Sequence, residues 1–186
     1  MKKIILYIMF AVPFIFSSCY DKNEVEMTGA GDLCGQWVVV DNVAGTEFTL
    51  TTSNVSSNSP DSLYVTDVYS GTAGFWNFQV KVKIDKNAMT FSQNNAVSMV
   101  LQDEVLDKAD HNGDGLRNAV VPYNIKVNVI GGKIERNAVS MPSGVKSDKI
   151  TLELQFEDDS PAYTSYKIHG YRKTGFHEDD NFVLAW

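Results

Sequence analysis

Phe75-Trp76-Asn77-Phe78-Gln79-Val80-Lys81-Val82-Lys83-Ile84 alternates with a period of two. Trp76, Phe78, Val80, Val82 and Ile84 fall on one face, and Asn77, Gln79, Lys81 and Lys83 on the other. That pattern predicts a half-buried antiparallel strand with a wet outer face. Outward from it, the alternation recurs. Ile150, Leu152, Leu154 and Phe156 alternate with Thr151, Glu153, Gln155 and Glu157. Further strands are expected over residues 36–43, 47–52, 63–69, 89–91, 96–101, 123–130, 133–139, 163–172 and 181–186. Turn signals separate them at Ala44-Gly45, in the Ser/Asn/Pro loop 54–61, at Ser70–Gly74, and at Gly131-Gly132. Only Val100–Ala109 reads as helical. About nine or ten short strands at regular spacing argue for an all-β antiparallel barrel or sandwich. Closure into a barrel also removes the exposed edge strands.

The 186 residues, 44% of them hydrophobic, are enough for one domain with its own core and too apolar for disorder along the whole chain. The net charge is −7 with no basic stripe, so nucleic acid is not an expected partner.

The first residues read as an address. Lys2 and Lys3 precede an apolar run, Ile4–Phe16, and then come Ser17, Ser18 and Cys19. This is a secretory signal, and the small residues before Cys19 resemble a bacterial lipobox. The resemblance implies that the Cys19 thiol receives a diacylglycerol and that the chain is cut before it. The expected organisation is a signal peptide over 1–18, an acylated tether over 19–32 and a single barrel domain over 33–186. Placement is then in the outer membrane, facing the periplasm or the cell surface. The acidic stretch after Cys19 resembles the surface-export signal of Bacteroidetes-type lipoproteins and reads equally as a soluble tether. With Cys19 acylated, Cys34 has no disulfide partner and reads as a small buried hydrophobe.

Gly35-Gln36-Trp37 resembles the first-strand signature of lipocalins and the wider calycin barrels. The resemblance implies that Trp37 closes the barrel floor and that Arg172, from the last strand, packs on its ring. The chain departs from true lipocalins, because it lacks room for their late helix and lacks their central T-D-Y motif. As a whole it resembles a family of Bacteroidetes lipoproteins called lipid-binding putative hydrolases. The likeness rests on the lipobox, Gly35-Gln36-Trp37, the V-x-N and G-T turn region, the Tyr-rich third strand and Gly170–Phe176. It implies a calycin-like (lipocalin-like) barrel and an apolar ligand. No G-x-S-x-G elbow supports a serine hydrolase.

In such a barrel Tyr64, Tyr69, Trp76, Phe78, Tyr123 and Tyr166 are expected to line the ligand cavity. Asp110, Asn112 and Asp114 match the first half of an EF-hand loop. The twelfth position is Val121 where the loop needs Glu, so at most a weak structural calcium ion is expected and otherwise no cofactor. His177 beside Glu178, Asp179 and Asp180 reads as a solvated turn. Two echoes run through the chain: Lys83–Met89 against Lys133–Val139, and N-A-V-S-M at both 95–99 and 137–141. They read as similar turn chemistry. The expected function is non-catalytic binding of a lipid or other apolar small molecule by a membrane-anchored lipoprotein. The alternatives are a cell-surface glycan-binding accessory protein, a hydrolase whose residues come from distant strands, and a structural member of an outer-membrane complex.

Overall fold

The computed structural model describes residues 28–67, 75–105, 118–122 and 124–184. Its strands are β1 Gly35–Asp41, β2 Glu47–Asn54, β3 Ser62–Thr66, β4 Gln79–Asp85, β5 Thr90–Val97, β6 Leu101–Val105, β7 Asn118–Pro122, β8 Lys126–Ser140, β9 Lys146–Phe156 and β10 Tyr166–Arg172. All but β6 and β7 close into one antiparallel barrel in the order β1-β10-β9-β8-β5-β4-β3-β2. β6 and β7 form a two-stranded ribbon between β5 and β8. The all-β barrel expected from the alternation is the observed fold, and it is consistent with a calycin-like architecture.

The alternation sorts side chains to the two faces as the sequence predicts. Val39, Leu50, Val65, Val80, Val129, Ile150 and Leu154 point inward and are fully buried. The intervening Lys81, Lys83 and Gln36 stay exposed. Burial of this interior is the main favourable term in the fold, at about 25 cal/mol per Å² of apolar surface.

Four local expectations are corrected. Gly131-Gly132 does not turn the chain, because β8 continues through it. Gly131 takes φ +58, and the register of β8 shifts on both neighbours at this point. Gly132 lies beneath Phe91, whose ring stands 2.4 Å from where a Cβ would be. The pair is therefore a bulge that bends a long strand around the barrel. Second, residues 101–105, expected within a helix, form strand β6. Third, the C-terminal stretch expected as a strand over 181–186 is not one in its described part, 181–184. Instead it straps across the outside of β10. The Tyr171 hydroxyl donates to the Phe182 carbonyl at 2.8 Å, and His169 Nε2 lies 2.9 Å from the Leu184 carbonyl. Fourth, the strand expected from Phe75 begins only at Gln79.

The N-A-V-S-M echo has a structural counterpart. Asn95 and Asn137 both take positive φ, 50° and 52°, at register shifts in β5 and β8. Each N–H is taken up by a side chain of the next strand, Asn128 Oδ1 at 2.7 Å and Asp148 Oδ1 at 2.9 Å. Asn tolerates this left-handed geometry better than most residues, so both copies serve bulges.

At one end, the floor, Arg172 closes the barrel. Its guanidinium carbon lies 4.5 Å from the Trp37 ring centroid. Its Nε donates to Asp148 Oδ2 at 3.1 Å, Nη2 to the Asp32 carbonyl at 3.3 Å, and Nη1 to the Cys34 carbonyl. Trp37 Nε1 donates to Thr52 Oγ1 at 2.9 Å, and that hydroxyl donates to the Leu33 carbonyl at 2.6 Å. The β1–β10 seam is tight: a Cβ on Gly170 would stand 2.0 Å from the Val38 carbonyl oxygen. Gly170→Ala is therefore expected to lower the unfolding free energy by about 2–4 kcal/mol, measured by urea denaturation. An unchanged midpoint would show that the seam can open without cost.

Candidate functional site

The opposite end is the mouth. β1, β3 and β9 finish there, and β2, β4 and β10 begin there. Buried Asp67 follows the last residue of β3. Its Oδ2 accepts the main-chain N–H of Trp76 at 2.5 Å and of Asn77 at 2.8 Å, and its Oδ1 accepts that of Phe78 at 2.5 Å. These are the N–H groups that a strand starting at Phe75 would give to a ladder. The carboxylate takes them instead, and Asn77 turns to φ 61. That is why β4 starts late and why Phe75 and Trp76 are carried across the opening.

Six aromatic rings meet at this end: Phe48, Phe75, Trp76, Phe78, Phe156 and Tyr166. Trp76 stacks on Phe156 with centroids 4.4 Å apart and planes 6° from parallel. Phe75 stacks on Phe48 at 4.6 Å and meets Tyr166 edge-on at 5.2 Å. Each such pair adds about 0.5–1.5 kcal/mol beyond its area burial. Phe78 is fully buried beneath them, whereas Phe75, Trp76 and Tyr166 keep partial exposure. Their polar tips are held by a short acidic turn after β9. Trp76 Nε1 donates to Asp158 Oδ1 at 2.9 Å, and the Tyr166 hydroxyl donates to Asp159 Oδ2 at 2.9 Å. Burial and the Asp159 carboxylate push the Tyr166 phenol up to about 12.

Of the residues expected to line a cavity, Trp76, Phe78 and Tyr166 come together here. Tyr64 lies on the outer face of β3, opposite Ser53 and Lys81, away from the others. Tyr69 and Tyr123, the lipidation residue Cys19, and Asp110, Asn112 and Asp114 lie outside the described residues. Trp37 and Arg172 belong to the floor. Among the described residues no three His, Cys, Asp or Glu side chains are grouped to hold a metal ion. Sequence reasoning missed Asp67, Phe48, Phe156, Asp158 and Asp159. Asp158 meets Trp76 across 82 residues of chain, a pairing with no local signal.

Electrostatics at the rim run in two directions. In Asp41, burial pushes the carboxyl up, but the N–H groups of Ala44, Thr46 and Val43 outweigh it and hold the pKa below 3.8. In Asp67, burial dominates its accepted hydrogen bonds and holds the pKa above 3.8.

A protein family described as lipid-binding putative hydrolase matches residues 22–177 of this chain. No curated protein matches it.

The Asp41 shift sets a pH dependence. A carboxyl depressed by folding stabilises the fold above its unfolded value, and that stabilisation is lost as pH falls through the folded value. Asp67 has the opposite sign: its contribution is present below the unfolded value and is lost as pH rises through the raised one. Lowering the pH below the ordinary Asp value of 3.8 is expected to destabilise the wild type more steeply than Asp41→Asn. Urea unfolding at a series of acidic pH values measures the two slopes, and equal slopes would remove Asp41 as the responsible group.

Proposed function

The chain belongs to the lipid-binding putative hydrolase family, and from that membership we propose that it binds a lipid or other apolar small molecule at the aromatic mouth of its barrel. The observation that carries the proposal is the 75–78 segment. Asp67 lifts it out of the β-ladder, and it leaves Phe75 and Trp76 half-buried over a packed interior. The inward positions beneath, including Phe78, Val80 and Leu154, are filled by the protein's own side chains. An apolar ligand therefore lodges among Phe75, Trp76 and Tyr166. Binding is passive, driven by apolar area removed from water at about 25 cal/mol per Å². No bond-making step is assigned to the site.

In this reading the chain is an outer-membrane lipoprotein anchored through a diacylglycerol on Cys19. Several buried acyl chains, each contributing about 0.8 kcal/mol per methylene, make such an anchor stable. The sequence up to Cys19 supports it through the order of basic, apolar and small residues.

Two outcomes are expected. Titration with a neutral solvatochromic dye, Nile red, should show saturable binding that Trp76→Ala weakens about tenfold. Tyr64→Ala, on the outer face, should leave it unchanged. Equal effects of the two substitutions would move the site away from the mouth. Cys19→Ala should abolish incorporation of labelled palmitate and release the chain from the membrane fraction, and persistent labelling would place the acyl group elsewhere.

A further inference from the structure

We infer that the mouth selects an apolar ligand whose polar end is a cationic amine, and discriminates against carboxylate- or phosphate-headed lipids. The inference rests on the mouth being the apolar-ligand site, and it adds the class of headgroup.

The first argument is the disposition of donors. A fatty-acid carboxylate in a binding protein needs hydrogen-bond donors or a cation to replace its water. At this mouth the donors of the 76–78 segment and of Tyr166 are already engaged by carboxylates. The N–H groups of Trp76, Asn77 and Phe78 go to Asp67. The Trp76 indole N–H goes to Asp158, and the Tyr166 hydroxyl goes to Asp159. The Lys126 ammonium lies 2.8 Å from Glu157 Oε1. An anionic headgroup that used these donors would have to break one of the charge-assisted bonds and then sit beside the carboxylate it had displaced.

The second argument is the sign of the local field. Glu157, Asp158 and Asp159 follow one another directly after β9, between Phe156 and the start of β10. Asp41 and Glu47 flank the neighbouring β1–β2 turn. Against these acids, the described basic residues nearest the mouth are Lys126, paired with Glu157, and Lys167 near the start of β10. At the Tyr166 hydroxyl, burial first and then the Asp159 carboxylate oppose a negative charge.

The third argument is the rings themselves. Half-exposed Trp76 and Tyr166 have electron-rich faces, which attract a cation and not an anion. A primary amine brings donors and positive charge to a rim of acceptors, and its alkyl chain meets Phe75 and Trp76.

The test uses the full chain and three ligands of one chain length: dodecylamine, dodecanol and dodecanoate, each below its micellar concentration. Displacement of bound Nile red is measured at neutral pH and low salt. Dodecylamine should displace the dye at a concentration about tenfold below dodecanoate, with dodecanol between, and the gap should narrow at high salt. The double variant Asp158→Asn/Asp159→Asn should close most of the gap between dodecylamine and dodecanoate, with saturable Nile red binding as the check that its mouth still forms, and an unchanged gap in a dye-binding variant overturns the headgroup inference. Dodecanoate binding as well as or better than dodecylamine overturns the headgroup inference and leaves the mouth as an apolar site. No displacement by any of the three overturns the mouth as the ligand site, and this inference with it.

Discussion

The Arg172 guanidinium is the point on which the barrel turns. A β-barrel closes only if its last strand lies against its first, and here one charged side chain spans that seam. It stacks over Trp37 of β1, pairs with Asp148 of β9 and donates to the carbonyls of Asp32 and Cys34 ahead of β1. A charge in this half-buried position is tolerable because each of its three nitrogens donates to an acceptor. Two glycines make the approach possible. A Cβ on Gly35 would stand 2.5 Å from Arg172 Nη1, and one on Gly170 would meet the backbone of β1. Once β10 is docked in this register, Tyr171 faces outward, and the C-terminal strap gains the hydrophobic surface it covers.

The mouth is a consequence of that closure and works by the same device with the opposite charge. At the floor a cation gathers main-chain carbonyls. At the mouth the Asp67 carboxylate gathers main-chain N–H groups. In both places one side chain satisfies backbone that the sheet leaves over. The Asp67 arrangement has a further effect, because it interrupts β4 before it begins and turns two aromatic residues from ladder positions into a cover for the barrel. Trp76 then finds Phe156 and Asp158, and Phe75 finds Phe48 and Tyr166. The aromatic surface and the acidic rim arise together, since the turn that anchors the ring tips is the one that supplies the carboxylates.

The period-two alternation by itself determined the class of fold and the inward faces of β4 and β9. It did so because side-chain direction in a strand is a local property of the backbone. The resemblance of the G-x-W and the late Arg to calycin barrels pointed to the two residues that meet at the floor. Other features lay beyond local reading. Gly131-Gly132 looks the same on paper as a hairpin turn and as a bulge, and only Phe91 from the neighbouring strand, lying over Gly132, distinguishes the two. Phe75–Phe78 continues the strand pattern without a break, and only the Asp67 carboxylate, arriving from the end of β3, removes it from the sheet. Tyr64 and Tyr166 have equal claims on a ligand in the sequence, yet register sends one outward and the other to the mouth. In each case the deciding partner comes from another strand. Strand direction and burial pattern are written residue by residue, whereas competition for a hydrogen bond between distant segments is settled only when the barrel closes.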